Sequence, residues 1–119
     1  MKLQKAYTAL LVTDIKAAEA WYTKLLGRGP DNRPMATLVQ WELFDHVGLG
    51  LSTSAEIAGP GVLFLIVDSV ADERRRLADL GITLGEDIAG DYSTLAQVRD
   101  ADGNMLTLAT PPAPPYPPA

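Results

Sequence analysis

The stretch "LLVTDIKAAEAWYTKLLG" (residues 10–27) decides the fold because it recurs: "LIVDSVADERRRLADLG" (65–81) matches it at an offset of 55, with Val12 over Val67, Ile15 over Val70, Tyr22 over Leu77 and Leu25 over Leu80. In both copies a short apolar run reads as a strand. A polar break then leads into apolar residues spaced three and four apart, as in a helix with one buried face. The first helix places Ile15, Ala18, Tyr22, Leu25 and Leu26 on that face and closes at Gly27, whose missing Cβ suits a left-handed cap. The second opens at Ser69 as N-cap with Asp72 three residues on, is expected to bury Val70, Leu77 and Leu80, and closes at Gly81. Arg74, Arg75 and Arg76 lie within it. Consecutive helical residues point in three directions, so the triplet reads as a solvated surface, not an anion site.

Outward from the helices the duplication continues at an offset of 57, with "TLVQWE" (37–42) over "TLAQVR" (94–99) and "VGLGLST" (47–53) over "NMLTLAT" (104–110). Each pair reads as the arms of a hairpin. Turn signals fall at Gly29-Pro30, Asp45-His46, Gly59-Pro60-Gly61, Gly90-Asp91 and Asp100 to Asn104. Each copy is therefore β-α-β-β-β, and the fold class is α+β. The closing "PPAPPYPPA" (111–119) cannot donate to a sheet and is expected to be an extended or disordered tail.

The turn "DADGN" (100–104) has the spaced acids and glycine that open a calcium loop. Such a loop also needs a bidentate carboxylate at its twelfth position, and that position is Pro111. A hairpin explains the turn without a metal, since Asp and Asn bond their own backbone and Gly accepts a positive φ.

A chain of 119 residues, 47% hydrophobic and 21% charged, is the size of one compact domain. Its net charge of −5 argues against nucleic acid or an anionic membrane surface as partner and favours a cationic small molecule. The absence of cysteine removes disulfides, thiol nucleophiles and thiolate metal sites. The apolar run from Ala6 to Val12 enters Asp14 with no cleavage site, so it reads as a first strand and not a signal peptide. No stretch approaches the length of a membrane span, and a cytoplasmic protein is expected.

A β-α-β-β-β unit repeated at this spacing, opened by "VTDIKAAEAWYTKLLG" and closed by "RDADGNMLTL", resembles the glyoxalase, bleomycin-resistance and extradiol dioxygenase superfamily, the vicinal oxygen chelate proteins. In that family the opening segment runs strand, Asp, aliphatic, aromatic pair, Leu-Gly; here these are Val12, Asp14, Ile15, Trp21-Tyr22 and Leu26-Gly27. The closing hairpin is usually Asp-Pro-Asp-Gly-Asn, and Ala101 replaces the proline. The resemblance spans Tyr7 to Thr110. It implies a single domain over 1–110, built from modules at about 5–54 and 60–110 that form a curved, cleft-like mixed sheet.

Strand alternation sorts the residues of that sheet. Leu106 and Leu108 should pack under a helix, leaving Met105, Thr107 and Ala109 on the concave face with Tyr7, Ala9, Leu11, Gly48, Gly50, Ser52, Val62, Phe64 and Ile66. Matched position by position, the family's metal-ligand sites fall at Tyr7, Gly50, Val62 and Thr107. None is His, Glu, Asp or Gln, and one phenol with one hydroxyl cannot replace a divalent ion's hydration shell, so no metal and no cofactor are expected. His46 stands alone in a turn, where solvent exposure is the expectation.

With small or apolar groups at the ligand positions, the concave face reads as a cavity walled by Tyr7, Phe64, Ile66 and Met105, with Gly48 and Gly50 leaving space. Burying Gln40 and Glu42 unpartnered under a helix would cost several kcal/mol, so Trp41 is assigned to the helix side and the polar set to the cavity side. Gln40, Glu42, Gln97 and Arg99 then supply its polar groups, although Glu42 and Arg99 fit a solvated rim equally well. Tyr92 reads as either an aromatic lid or a strand-end residue.

Two functions remain open on these residues. One is a binding protein that holds a small organic molecule in the cleft, as the antibiotic-sequestering branch of the family does. The other is a glyoxalase-like lyase, an isomerase or a dioxygenase-related enzyme, either metal-independent with Tyr7 or Glu42 as acid or base, or with ligands in another register. A homodimer is expected, because such modules leave strand edges and apolar surface that pairing covers.

Overall fold

The computed structural model describes residues 1–53, 61–114, 117 and 118. The turn expected at Gly59-Pro60 and part of the proline tail lie outside the described residues. The chain divides into two compact units, Met1–Gly61 with Asp100–Asn104, and Val62–Arg99 with Met105–Ala119.

The first unit runs β1 (Ala6–Leu11), α1 (Ile15–Leu26), β2 (Asn32–Met35), β3 (Leu38–Phe44) and β4 (Val47–Ser52). Its sheet has the order β1-β4-β3-β2, with β1 parallel to β4 and the other neighbours antiparallel. The helix begins where expected, the Asp14 carboxylate accepting from the Ala17 N–H at 3.1 Å. It ends at Gly27, whose φ of 82° lies in the left-handed region. Beneath it Leu10, Val39, Trp41, Leu49 and Leu51 are buried with Tyr22 and Leu25. Trp41 is fully covered because its indole N–H donates to the Arg28 carbonyl at 2.9 Å, which removes the penalty for burying it.

The turn at 100–104 belongs to this first unit and is a latch. The Asp100 carboxylate accepts from the Tyr22 hydroxyl at 2.8 Å, from the N–H groups of Asp102 and Asn104 at 2.9 and 2.8 Å, and from Asn104 Nδ2 at 2.8 Å. Fully buried Asn104 donates to the Leu11 carbonyl at 3.0 Å and accepts from the Gly61 N–H at 2.6 Å. Thr13 binds Asp102 through its hydroxyl at 2.9 Å. Gly103 takes the positive φ, 84°, that the tight reversal requires. Burial, reinforced by Asp100, pushes the Tyr22 hydroxyl well above the ordinary phenol range and holds it as a donor. The acidic oxygens of the turn thus face donors of the unit itself.

The second unit repeats the order as β5 (Val62–Ile66), α2 (Val70–Asp79), β6 (Ile88–Ala89), β7 (Thr94–Arg99) and β8 (Met105–Ala109), with sheet order β5-β8-β7-β6. Ser69 caps α2 by accepting from the Asp72 N–H at 3.1 Å. Leu80, expected in the core, is 42% exposed. The helix stops at Asp79 and Gly81 reverses the chain at φ 83°, so the interior place passes to Ile82, whose N–H returns to the Leu77 carbonyl at 2.9 Å. The arginine triplet is engaged locally: Arg74 with Asp87 at 2.7 Å, Arg75 with Asp72, and Arg76 with Glu73 at 2.7 Å. No helix among the described residues is long and apolar enough to cross a membrane.

Candidate functional site

Strand register decides which side chains share a face. In the first unit Tyr7 pairs Gly48, which pairs Glu42; Ala9 pairs Gly50, which pairs Gln40; Leu11 pairs Ser52, which pairs Leu38. These three rows line the face opposite α1, while Leu10, Leu49, Leu51, Val39 and Trp41 fill the other. In the second unit the corresponding rows are Val62–Met105–Arg99, Phe64–Thr107–Gln97 and Ile66–Ala109–Leu95. The expected residues therefore fall into two sets, Tyr7, Gln40, Glu42 and Gly50 in one unit and Val62, Phe64, Gln97, Met105 and Thr107 in the other. Each set occupies the open face of its own sheet.

In the first row the space expected at Gly48 is filled. A Cβ built on Gly48 would clash with two carbons of the Tyr7 ring and lie 3.0 Å from the Trp41 carbonyl oxygen, so the missing side chain is what lets the phenol lie across the backbone. Tyr7 remains 41% exposed. Its hydroxyl donates to Glu42 Oε1, and Lys5 Nζ donates to Glu42 Oε2 at 2.8 Å. The same ammonium stands 5.6 Å from the Tyr7 ring centroid, within cation–π range. Gly50 is buried under its neighbours, yet a Cβ there would meet Leu38 Cδ1 at 3.5 Å and Gln40 Cγ at 3.9 Å, both ordinary contacts.

Glu42 is held from its backbone as well. The Asp31 carboxylate accepts from the Glu42 N–H at 2.6 Å and from Arg28 at 2.8 Å, while the second Arg28 nitrogen donates to the Glu42 carbonyl. The strand register shifts between Glu42 and Phe44, a bulge of the kind that re-aims a neighbouring side chain. Lys5 and then Tyr7 keep the Glu42 carboxyl below the ordinary glutamate range. Glu42 in turn raises both the Lys5 ammonium and the Tyr7 phenol, so all three stay in one state near neutrality: carboxylate, ammonium, un-ionised phenol.

Lys5 was not among the residues expected at the site. Its signal is its place in "KAY" (5–7): two residues before Tyr7, in chain entering a strand, it projects to the same side.

In the second unit Val62, Phe64 and Ile66 are 75%, 53% and 55% exposed, an apolar row on an edge strand. Gln97 donates to the Thr107 hydroxyl at 3.2 Å. His46 is exposed in the β3–β4 turn, with Nδ1 3.2 Å from the Gln4 carbonyl. Tyr92 precedes β7, half-buried, its carbonyl accepting from Ala113.

The four positions that correspond to metal ligands in the vicinal oxygen chelate pattern do not suit a divalent ion. Gly50 and Val62 offer no side-chain donor, the Tyr7 hydroxyl is spent on Glu42, and Thr107 is bonded to Gln97. Among the described residues no three His, Cys, Asp or Glu side chains group closely enough to hold one.

Comparison with known proteins places the fold. No family model and no curated protein matches the sequence. Among solved structures, a glyoxalase/bleomycin resistance protein from Catenulispora acidiphila superposes with a TM-score of 0.81 at 25% identity, covering 93% of this chain and 100% of the other. The chain thus has the glyoxalase/bleomycin-resistance fold of the vicinal oxygen chelate superfamily. Two further similar structures are a bleomycin resistance determinant encoded on transposon Tn5 (TM-score 0.73, 22% identity, 89% and 96% coverage) and a lactoylglutathione lyase from Agrobacterium tumefaciens (0.73, 23%, 87% and 90%).

Proposed function

We propose that the chain binds a small organic molecule against the open face of its first sheet, at Tyr7, Gln40, Glu42 and Gly50, and releases it unaltered. The observation that carries this reading is the posture of Tyr7: an exposed aromatic ring laid over Gly48 and tied by Glu42 offers a preorganised stacking surface. The similarity to a bleomycin resistance determinant supports it and suggests an antibiotic as ligand. By the same register, Phe64, Thr107, Gln97, Val62 and Met105 are proposed as ligand-contacting on the second sheet.

Binding is preferred to catalysis on acid–base grounds. A Glu42 carboxyl held low is a weakened base, and a Tyr7 phenol held high is a weakened acid, the reverse of what proton transfer near neutrality calls for. We further infer a homodimer, in which a second copy closes over the Val62, Phe64 and Ile66 row and shares that face with the ligand.

The test is a ligand panel headed by bleomycin, read by amide chemical shifts. Ligand-induced shifts at Ala9, Gly50 and Gln40 are expected, and Gly50→Leu should abolish them. A ligand that binds wild type and the folded Gly50→Leu protein alike would place the site elsewhere.

A further inference from the structure

The Lys5 ammonium, bound to one oxygen of Glu42 and poised over Tyr7, has the surroundings that a ligand's ammonium group would seek. It comes from the segment before β1, next to freely exposed Leu3. The backbone is anchored immediately after Lys5, where the N–H of Ala6, the first residue of β1, donates to the His46 carbonyl at 2.9 Å. The side chain is less constrained: the Lys5 and Glu42 side chains are 36% and 30% exposed. A pair that open to water contributes little, so it yields readily to a competitor. A recess of about 550 Å³ lined by Leu3, Gln4, Lys5, Ala6 and His46 gives the displaced side chain room beside its own stem.

From this we propose that Glu42 and Tyr7 form an ammonium subsite that Lys5 occupies as a tethered, displaceable surrogate, so the class of ligand this face takes is organic cations. The proposal rests on the reading of the Tyr7–Gly50 face as the ligand surface. Glu42 contributes charge on one oxygen and Tyr7 its ring face; the Asp31–Arg28 clamp fixes the Glu42 backbone, and the Tyr7 hydroxyl holds the other carboxylate oxygen when Lys5 leaves. The neighbouring Gly50 and Ala9 row receives the body of the ligand. Lys5 then sets a threshold, because a neutral molecule of the same shape gains nothing by displacing it.

Benzylammonium and benzyl alcohol, titrated separately and followed through the Ala9 and Gly50 amides, test this. Wild type should prefer benzylammonium. Lys5→Gln should tighten benzylammonium about two- to fivefold by removing the internal competitor, and leave benzyl alcohol unchanged. Lys5→Arg should return the affinity to the wild-type value. Lys2→Gln, which makes the same change in net charge without touching Glu42, should tighten it less than Lys5→Gln. Glu42→Gln should erase the preference for benzylammonium. If both probes shift Ala9 and Gly50 but Lys5→Gln matches wild type, or Lys2→Gln matches Lys5→Gln, the subsite is overturned and the ligand face stands. If neither probe moves those amides in any variant, the ligand face falls as well.

Discussion

The open faces of the two sheets have the same register and nearly opposite chemistry. Tyr7–Gly48–Glu42 corresponds to Val62–Met105–Arg99, and Ala9–Gly50–Gln40 to Phe64–Thr107–Gln97. The first sheet puts glycines on its central strand and a tied aromatic at its edge. The second puts methionine and threonine at the centre and leaves a valine, a phenylalanine and an isoleucine exposed. One backbone unit used twice has thus placed a tied phenol and carboxylate along one face in one copy and an exposed apolar row on the edge strand of that face in the other. Register conserves which residues share a face, and says nothing of what they do there.

If the second face is covered by another copy, a charge placed in it should have the largest effect. Phe64→Glu is expected to convert a dimer to a monomer by light scattering at micromolar concentration while the circular dichroism spectrum is kept. The corresponding change in the first unit, Ala9→Glu, should leave the mass unaltered. A wild-type protein already monomeric at that concentration would remove the homodimer from the account.

The glycines of the first face should separate next. Gly48→Ala must expel the Tyr7 ring or crowd the Trp41 carbonyl, and is expected to cost about 1–3 kcal/mol in urea unfolding. Gly50→Ala meets only ordinary contacts and should stay within about 1 kcal/mol of wild type. Equal losses at the two positions would mean that Tyr7 does not occupy the Gly48 space in solution.

The ion pair of the first face has its own pH window. Glu42 titrates below its unfolded value, so its contribution is present above the ordinary glutamate range and is lost as pH falls through the depressed value. Lys5 titrates above its unfolded value, so its contribution is present below the ordinary lysine range and is lost as pH rises through the raised value. Between those limits stability should not respond to this pair, and Glu42→Gln should flatten the acid limb slightly. An acid limb identical in the variant would show that Glu42 carries no folding-linked shift.

Much of this was legible in the sequence. Ser69, Gly27 and Gly81 cap or close helices where their side chains, or the lack of one, dictated, and the cost of burying Gln40 and Glu42 correctly sent Trp41 to the helix side. What escaped depended on three-dimensional coincidence. Leu80 continues the apolar spacing of α2, but Gly81 ends the helix first and Ile82 takes its place. The glycine pattern could not reveal that the space over Gly48 belongs to Tyr7, a residue 41 positions away in the chain. Lys5 lies just before the first strand, outside the run whose alternation sorts the faces, although its place two residues before Tyr7 puts it on the same side.

The smallest expected effect separates the two glutamines that repeat at an offset of 57. Gln97 is satisfied within its sheet by Thr107 at 3.2 Å, whereas the Gln40 side chain has no hydrogen-bond partner among the described residues. An amide already paired contributes to stability and must break a bond to meet a ligand. An unpaired one contributes little to stability and is available. Gln97→Ala should therefore lower unfolding free energy by about 0.5–1 kcal/mol. Gln40→Ala should leave stability nearly untouched and weaken a compound that shifts the Gly50 amide by about 1 kcal/mol. The two effects come from different measurements on matched substitutions, so a shared error in protein quality cannot imitate them. If the glutamines exchange roles, with Gln97 governing affinity and Gln40 stability, the second sheet is the one that reads the ligand's polar groups.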